Sequence, residues 1–186
     1  MRVIAGSARR LQLVTPKGSN TRPTSDKIKE TLFNILAPVL YEVNFLDLFA
    51  GSGGIGIEAL SRGARRCTFI EKDKEAAGCI RKNLETTHFT DDATVYQADV
   101  ISALSTLVRG QKFDVVFMDP PYKLGLERSV LSLLARSELI DDETLIICEA
   151  DIATDMSYAS DLGYTITRIK DYRNNKHVFL KREMNR

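Results

Sequence analysis

Seven short runs rich in β-branched and aromatic residues punctuate the chain, and stretches of helical periodicity separate most of them. The runs are 43–49 (VNFLDLF), 66–71 (RCTFIE), 93–97 (ATVYQ), 113–118 (FDVVFM), 144–149 (TLIICE), 164–169 (YTITRI) and 177–181 (HVFLK). Between them lie helical stretches at 54–62, 73–87, 100–108, 126–136 and 153–162. Parallel neighbours need a crossover of about a dozen residues or more, and strands apolar on both faces must be covered on both. The last two runs are separated only by DYRNNK, too short for a crossover, so they pair as an antiparallel hairpin. The expectation is an α/β, Rossmann-like, seven-stranded and mostly parallel sheet, helices on both faces, with a C-terminal antiparallel hairpin at its edge. Ahead of the sheet, Ser25 or Thr24 caps a helix whose Ile28, Leu32, Ile35 and Leu36 line one face. Residues 1–24 read as a basic arm or small hairpin (VIAG, LQLV) within a single domain spanning 1–186.

At 186 residues and 44% apolar content the chain can bury a sizeable core, which excludes disordered, collagen-like and disulfide-scaffold classes. Three cysteines without a C-x-x-C pair read as reduced thiols, and two histidines without a ligand cluster argue against a metal centre. The first ten residues contain no apolar signal core, and no run reaches membrane-spanning length, so a cytoplasmic protein is expected. The net charge of +1 is unevenly spread. Residues 1–30 and 168–186 each carry seven basic against two acidic side chains, around an acidic middle. Basic termini suit a polyanion gripped at the edges of a domain, or are simply solvated charge.

Four of the eleven glycines, Gly51, Gly53, Gly54 and Gly56, fall within LDLFAGSGGIG, between the first strand and the next helix. Glycines in that position let the backbone turn sharply and let a ligand approach it. Glu71, twenty residues beyond Gly51 at the end of the second strand, is placed to accept hydrogen bonds from a ribose diol. The loop alone suits a nicotinamide dinucleotide or S-adenosylmethionine. Asp47 favours the second, because a carboxylate repels a pyrophosphate and attracts an ammonium; bracing the loop is its other reading. Asp99, closing the third strand, either accepts the amine of adenine beside the Val100 backbone or caps the next helix.

The fourth strand runs straight into Asp119-Pro120-Pro121-Tyr122. Two prolines fix the backbone and remove N–H donors, leaving acceptors for a planar amino group. The Asp119 carboxylate and the Pro120 carbonyl would take its two hydrogens while Tyr122 stacks on the ring. A nucleobase amine is a poor nucleophile, since its lone pair is delocalised into the ring. Acceptors on both N–H groups aim that pair at an electrophilic carbon, and a carboxylate stabilises the positive charge that develops.

These segments resemble the bacterial family of 16S rRNA guanine-N2 methyltransferases, the small-subunit guanine-966 family, within the wider D/N-P-P-Y/F amino-methyltransferase class. The likeness includes RVIAG from Arg2, TRPTSD from Thr21, LFN from Leu32, LDLFAGSG from Leu46, EALSRGA from Glu58 and DPPY from Asp119. The resemblance implies S-adenosylmethionine as methyl donor, with Asp47, Gly51 and Gly53 on the methionine side, Glu71 on the ribose, and Asp99 with Val100 at the adenine. It implies that Thr21, Arg22, Thr24 and Phe33 close the pocket, and that Asp119, Pro120 and Tyr122 present the target amine. Arg9, Arg10, Arg22 and Lys123 are then the candidate RNA contacts, and the partner is 16S rRNA in a small-subunit ribonucleoprotein, bound by a monomer. Where relatives have a glycine turn in the last hairpin, this chain has Arg173-Asn174-Asn175; Asn tolerates the left-handed turn conformation. A DNA adenine-N6 methyltransferase is the alternative, because D-P-P-Y serves adenine amines too.

Overall fold

The computed structural model describes residues 1–17, 25–106, 110–122 and 124–183. Helix α1 (Asp26–Leu36) is capped by the Ser25 hydroxyl, which accepts the Ile28 N–H. The alternating units follow as β1 (Asn44–Leu48), α2 (Gly54–Ser61), β2 (Arg66–Glu71), α3 (Lys74–Thr87), β3 (Ala93–Gln97), α4 (Val100–Thr106), β4 (Val115–Met118) and α5 (Leu126–Ala135). Strands β5 (Leu145–Asp151), β6 (Tyr164–Asp171) and β7 (Asn175–Arg182) complete one seven-stranded sheet, ordered β3-β2-β1-β4-β5-β7-β6. The first five in that order are parallel; β7 runs antiparallel to β5, and β6 antiparallel to β7. The order reverses between β1 and β4, which opens a crevice at their carboxyl ends.

Strand alternation sorts the core into two layers. Phe45, Phe69, Val115, Phe117, Ile147 and Phe179 face α1, α2, α3 and the N-terminal arm. Leu46, Leu48, Ile70, Val116, Met118, Ile146, Cys148 and Val178 face α4 and α5. The layers seal β1, β4 and the centre of β5 on both sides, as the continuous apolar runs require.

The arm forms a small antiparallel hairpin, with a bridge between Arg2 and Gln12 and the Val3 and Leu13 N–H groups on the Leu11 (3.0 Å) and Met1 (2.9 Å) carbonyls. Helix α2 holds it in place. The Glu58 carboxylate accepts the N–H groups of Ile4 (2.8 Å) and Ala5 (3.0 Å), and the Ser61 hydroxyl donates to the Ala5 carbonyl (2.6 Å) and accepts the Ala8 N–H (3.0 Å). Gly6 sits so close that a Cβ there would lie 1.7 Å from the Ser61 carbonyl oxygen. Glu58 also meets Lys29 Nζ at 3.3 Å and Arg62 Nε at 2.8 Å. The RVIAG and EALSRGA segments are therefore two halves of one anchor.

Two local expectations change. The stretch 153–162 is a short 3-10 helix, Ser157–Leu162, because Asp151 and Asp155 accept the Ala153 and Ser157 N–H groups and hold an irregular connection. The hairpin is longer and tighter than its apolar runs suggest, closing with Tyr172 N–H on the Asn175 carbonyl at 2.8 Å, and none of Tyr172, Arg173, Asn174 and Asn175 takes a positive φ. No helix among the described residues is long and apolar enough to cross a membrane.

Candidate active site

The carboxyl ends of the strands bear Asp47, the glycine loop, Glu71, Asp99, Asp119 and Tyr122. After β1 the backbone turns through Phe49 (φ 59°), Gly51 (φ 55°) and Gly53 (φ 82°) into α2. The four glycines divide the work. Gly51 and Gly53 supply left-handed backbone, and beside Gly51 the space a Cβ would take is open to 4 Å, which leaves its backbone accessible to a ligand. Gly54 and Gly56 are packing positions, where a Cβ would come within 2.5 Å of Met1 Sδ and 2.3 Å of the Phe69 ring.

Carboxylates hold this loop. Asp47, 2% exposed, accepts the Gly56 N–H at 2.8 Å, so the bracing role is present. Burial, against that hydrogen bond and with the nearby Glu71 charge, pushes its carboxyl up to about 7. Glu71 accepts the N–H of Gly51 through one oxygen and of Asp73 through the other, both at 2.8 Å. Each oxygen keeps a second lone pair, so the group remains able to accept from a diol. Asp99 caps α4, its Oδ1 accepting from Ile101 (3.0 Å) and Ser102 (3.2 Å); Val100 opens that helix with its side chain buried.

Asp119 stands one residue beyond the end of β4, half-buried, with Pro120 buried and Tyr122 41% exposed at the rim. Desolvation, then the charges of Glu149 and Asp47, raise the Asp119 carboxyl well above the usual range. The paired register places Asp47 on the layer of Phe45, Phe117 and Ile147; Asp119 and Glu149, two residues beyond the latter pair, continue that layer on β4 and β5. Three carboxylates thus crowd one face of three adjacent strands. Among the described residues no ion pair reaches Asp47 or Asp119, and no group of three His, Cys, Asp or Glu has metal-holding geometry. Such a set is suited to a cationic ligand.

Sequence reasoning missed the wall behind Tyr122. The Tyr122 hydroxyl donates to Glu149 Oε1 at 3.3 Å, and the Asn175 amide donates to the same oxygen. Glu149 Oε2 lies 3.1 Å from His177 Nε2, directly across the β5–β7 pair, and the Tyr172 hydroxyl lies 3.2 Å from His177 Nδ1. His177 is fully buried and Glu149 is 5% exposed. The available signal was positional: Glu149 ends an apolar strand run, as Glu71 does.

Other expected residues are not brought here. Phe33 is fully buried in the core with the Arg62 guanidinium 5.1 Å above its ring, at the far end of α2 from the glycine loop. This corrects its expected place in the pocket, and the reason is that α1 turns its apolar face, Phe33 included, onto the sheet. Arg9 and Arg10 are exposed on the turn anchored at Ser61, about 12 Å along α2 from the loop. Thr21, Arg22, Thr24 and Lys123 lie outside the described residues. A cavity of about 290 Å³ bordered by Asn44, Arg66, Thr68, Thr94 and Lys112 opens at the amino ends of the strands, remote from all these groups.

Comparison with known proteins agrees with the geometry. The profile of the family described as "Conserved hypothetical protein 95" matches residues 1–181. The chain is 42% identical to ribosomal RNA small subunit methyltransferase D of Haemophilus influenzae, over 81% of this chain and 79% of that one. It is 40% identical to the Escherichia coli protein of the same name, over 82% and 75%. The solved structure of the Escherichia coli protein yhhF superposes with a TM-score of 0.86 at 34% identity, covering 100% of this chain and 99% of that one. The chain belongs to the Conserved hypothetical protein 95 family and is a methyltransferase of the class I fold.

Proposed function

We propose that this protein transfers the methyl group of S-adenosylmethionine to the exocyclic N2 amine of a guanine in 16S rRNA. The observation that carries the reading is the carboxylate face of Asp47, Asp119 and Glu149, in which neither Asp47 nor Asp119 meets a cation among the described residues, beside an open glycine loop and the Pro-Pro-Tyr ledge. The names of relatives at about 40% identity support the rRNA substrate. Gly51 and Gly53 would receive the methionine portion, Glu71 the ribose hydroxyls and Asp99 with Val100 the adenine. When bound, the cofactor supplies a methyl group on a positively charged sulfur.

The chain's own residues do the rest. Asp119 and the Pro120 carbonyl accept the amine hydrogens, and Tyr122 stacks on the base, so the nitrogen lone pair points at the methyl carbon. As the N–C bond forms and the C–S bond breaks, positive charge passes to nitrogen, and Asp119 takes the proton that leaves. Its raised pKa fits it for that step. A positive charge beside the three carboxylates would lower the Asp119 carboxyl again and favour the ionised form that accepts the proton.

The test is methylation with radiolabelled cofactor of unmodified small ribosomal subunits, naked 16S rRNA and duplex DNA, with the product nucleoside identified by mass. N2-methylguanosine in rRNA is the expected product. Label in DNA adenine alone would falsify the assignment.

A further inference from the structure

The outer edge of the sheet carries cations that the site above does not use. Lys170 sits opposite His177, and His177 opposite Glu149; one step beyond the Met118–Cys148 pair, Asp119 sits beside Glu149. Asp119, Glu149, His177 and Lys170 therefore form one row on one face, and three strand spacings separate its ends by about 14 Å. Arg168, opposite Phe179, projects from the same face.

Strict alternation would put neither cation there. Ile166 packs with the opposite layer, and residues 168 and 170 would follow it. A register irregularity between Ile166 and Arg168 leaves Thr167 as an extra residue, its hydroxyl donating to the Phe179 carbonyl at 3.3 Å. The bulge turns Arg168 and Lys170 to the side of Asp119, and sends Ile169 and Asp171 to the other. Arg168, Lys170 and the turn residue Arg173 are exposed, and none takes part in an ion pair among the described residues. Lys176 and Lys181, by contrast, are tied to the Thr154 carbonyl (2.7 Å) and Glu143 (3.2 Å). Cations on an edge strand also deter pairing between sheets, but that purpose is indifferent to the face they occupy.

We infer that Arg168, Lys170 and Arg173 form a grip for the phosphate backbone flanking the target base. A base whose amine meets Asp119 carries its phosphates outward along this row, where long cationic side chains meet them without reading sequence. The grip rests on the RNA substrate proposed above. The Glu149–His177–Tyr172 contacts join the hairpin that bears it to Tyr122, so strand and base are held by one piece of the sheet.

The test uses the full chain and the double variant Arg168→Ala/Lys170→Ala, with Arg173→Ala added, and Lys181→Ala as control. Binding of naked 16S rRNA and of unmodified small subunits is measured across a salt series, together with S-adenosylhomocysteine affinity, melting temperature and methyl transfer. RNA affinity is expected to fall about tenfold or more, and the slope of log affinity on log salt to shrink by about 0.7 for each phosphate left without its cation. Cofactor affinity, melting temperature and the control should match the wild type. RNA affinity and salt slope unchanged in the variants overturn the grip, whatever the methylation result. Weakened variants of a wild type that binds rRNA but never methylates it uphold the grip and refute the reaction; a wild type that does not bind rRNA refutes both.

Discussion

Two buried acidic clusters lie toward opposite ends of α2, and they are built on opposite terms. At the carboxyl end of the helix Glu58, fully buried, faces two cations, Lys29 and Arg62, and two backbone N–H groups of the arm. Burial lowers the Lys29 ammonium and Glu58 opposes that, the balance expected of a closed structural pair. At the amino end, Asp47 and Asp119 crowd toward Glu149 with no cation paired to either among the described residues, and burial raises both. A matched cluster holds a fold together; an unmatched one is a socket for charge that arrives with a ligand.

The comparison breaks if Glu58 proves to be chemical or Asp119 structural. Glu58→Ala leaves Lys29 buried without its partner and should cost about 3–5 kcal/mol in urea unfolding, while methyl transfer per folded molecule stays within about twofold. Asp119→Ala should lose on the order of 10³-fold in kcat with no loss of melting temperature, and should bind the cofactor more weakly, because one carboxylate of the socket is gone. Asp47 sharpens the contrast through pH. Because its folded-state pKa is raised from 3.8 to about 7, its protonated form favours the fold, and that contribution is lost as pH rises from about 4 through 7. Asp47→Asn, which does not titrate, should therefore gain on the wild type by about 2–4 kcal/mol across that window, read by unfolding at each pH. The smallest effect belongs to Glu149→Gln. It should lower kcat about tenfold, and in a Tyr122→Phe background it should lower it little further, since Glu149 acts as a positioning residue through the tyrosine hydroxyl.

Strand order, helix order and the glycine loop were legible because each rests on local periodicity or on backbone needs that one residue type meets. The placement of Asp47, Glu71, Asp99, Asp119 and Tyr122 was legible for the same reason, each standing at or near the carboxyl end of a strand in a topology the sequence implies. Phe33 was misplaced because an amphipathic helix tells which face is buried, not which end of a neighbouring helix it meets. The motif EALSRGA signalled kinship without its purpose, since Glu58 meets Ile4 and Ala5 across more than fifty residues. The pairing of Glu149 with His177 was invisible for a related reason: it depends on the β5–β7 register, and the apolar runs understate where the hairpin strands begin and end.

The one unpaired residue in β6 has a reach beyond its size. Losing or gaining a single codon near Thr167 would exchange the two sides of everything downstream in that strand, leaving composition and total charge almost untouched. Relatives could thus redistribute their outer margin between substrates by small insertions and deletions, a route that residue-by-residue comparison of aligned positions would overlook.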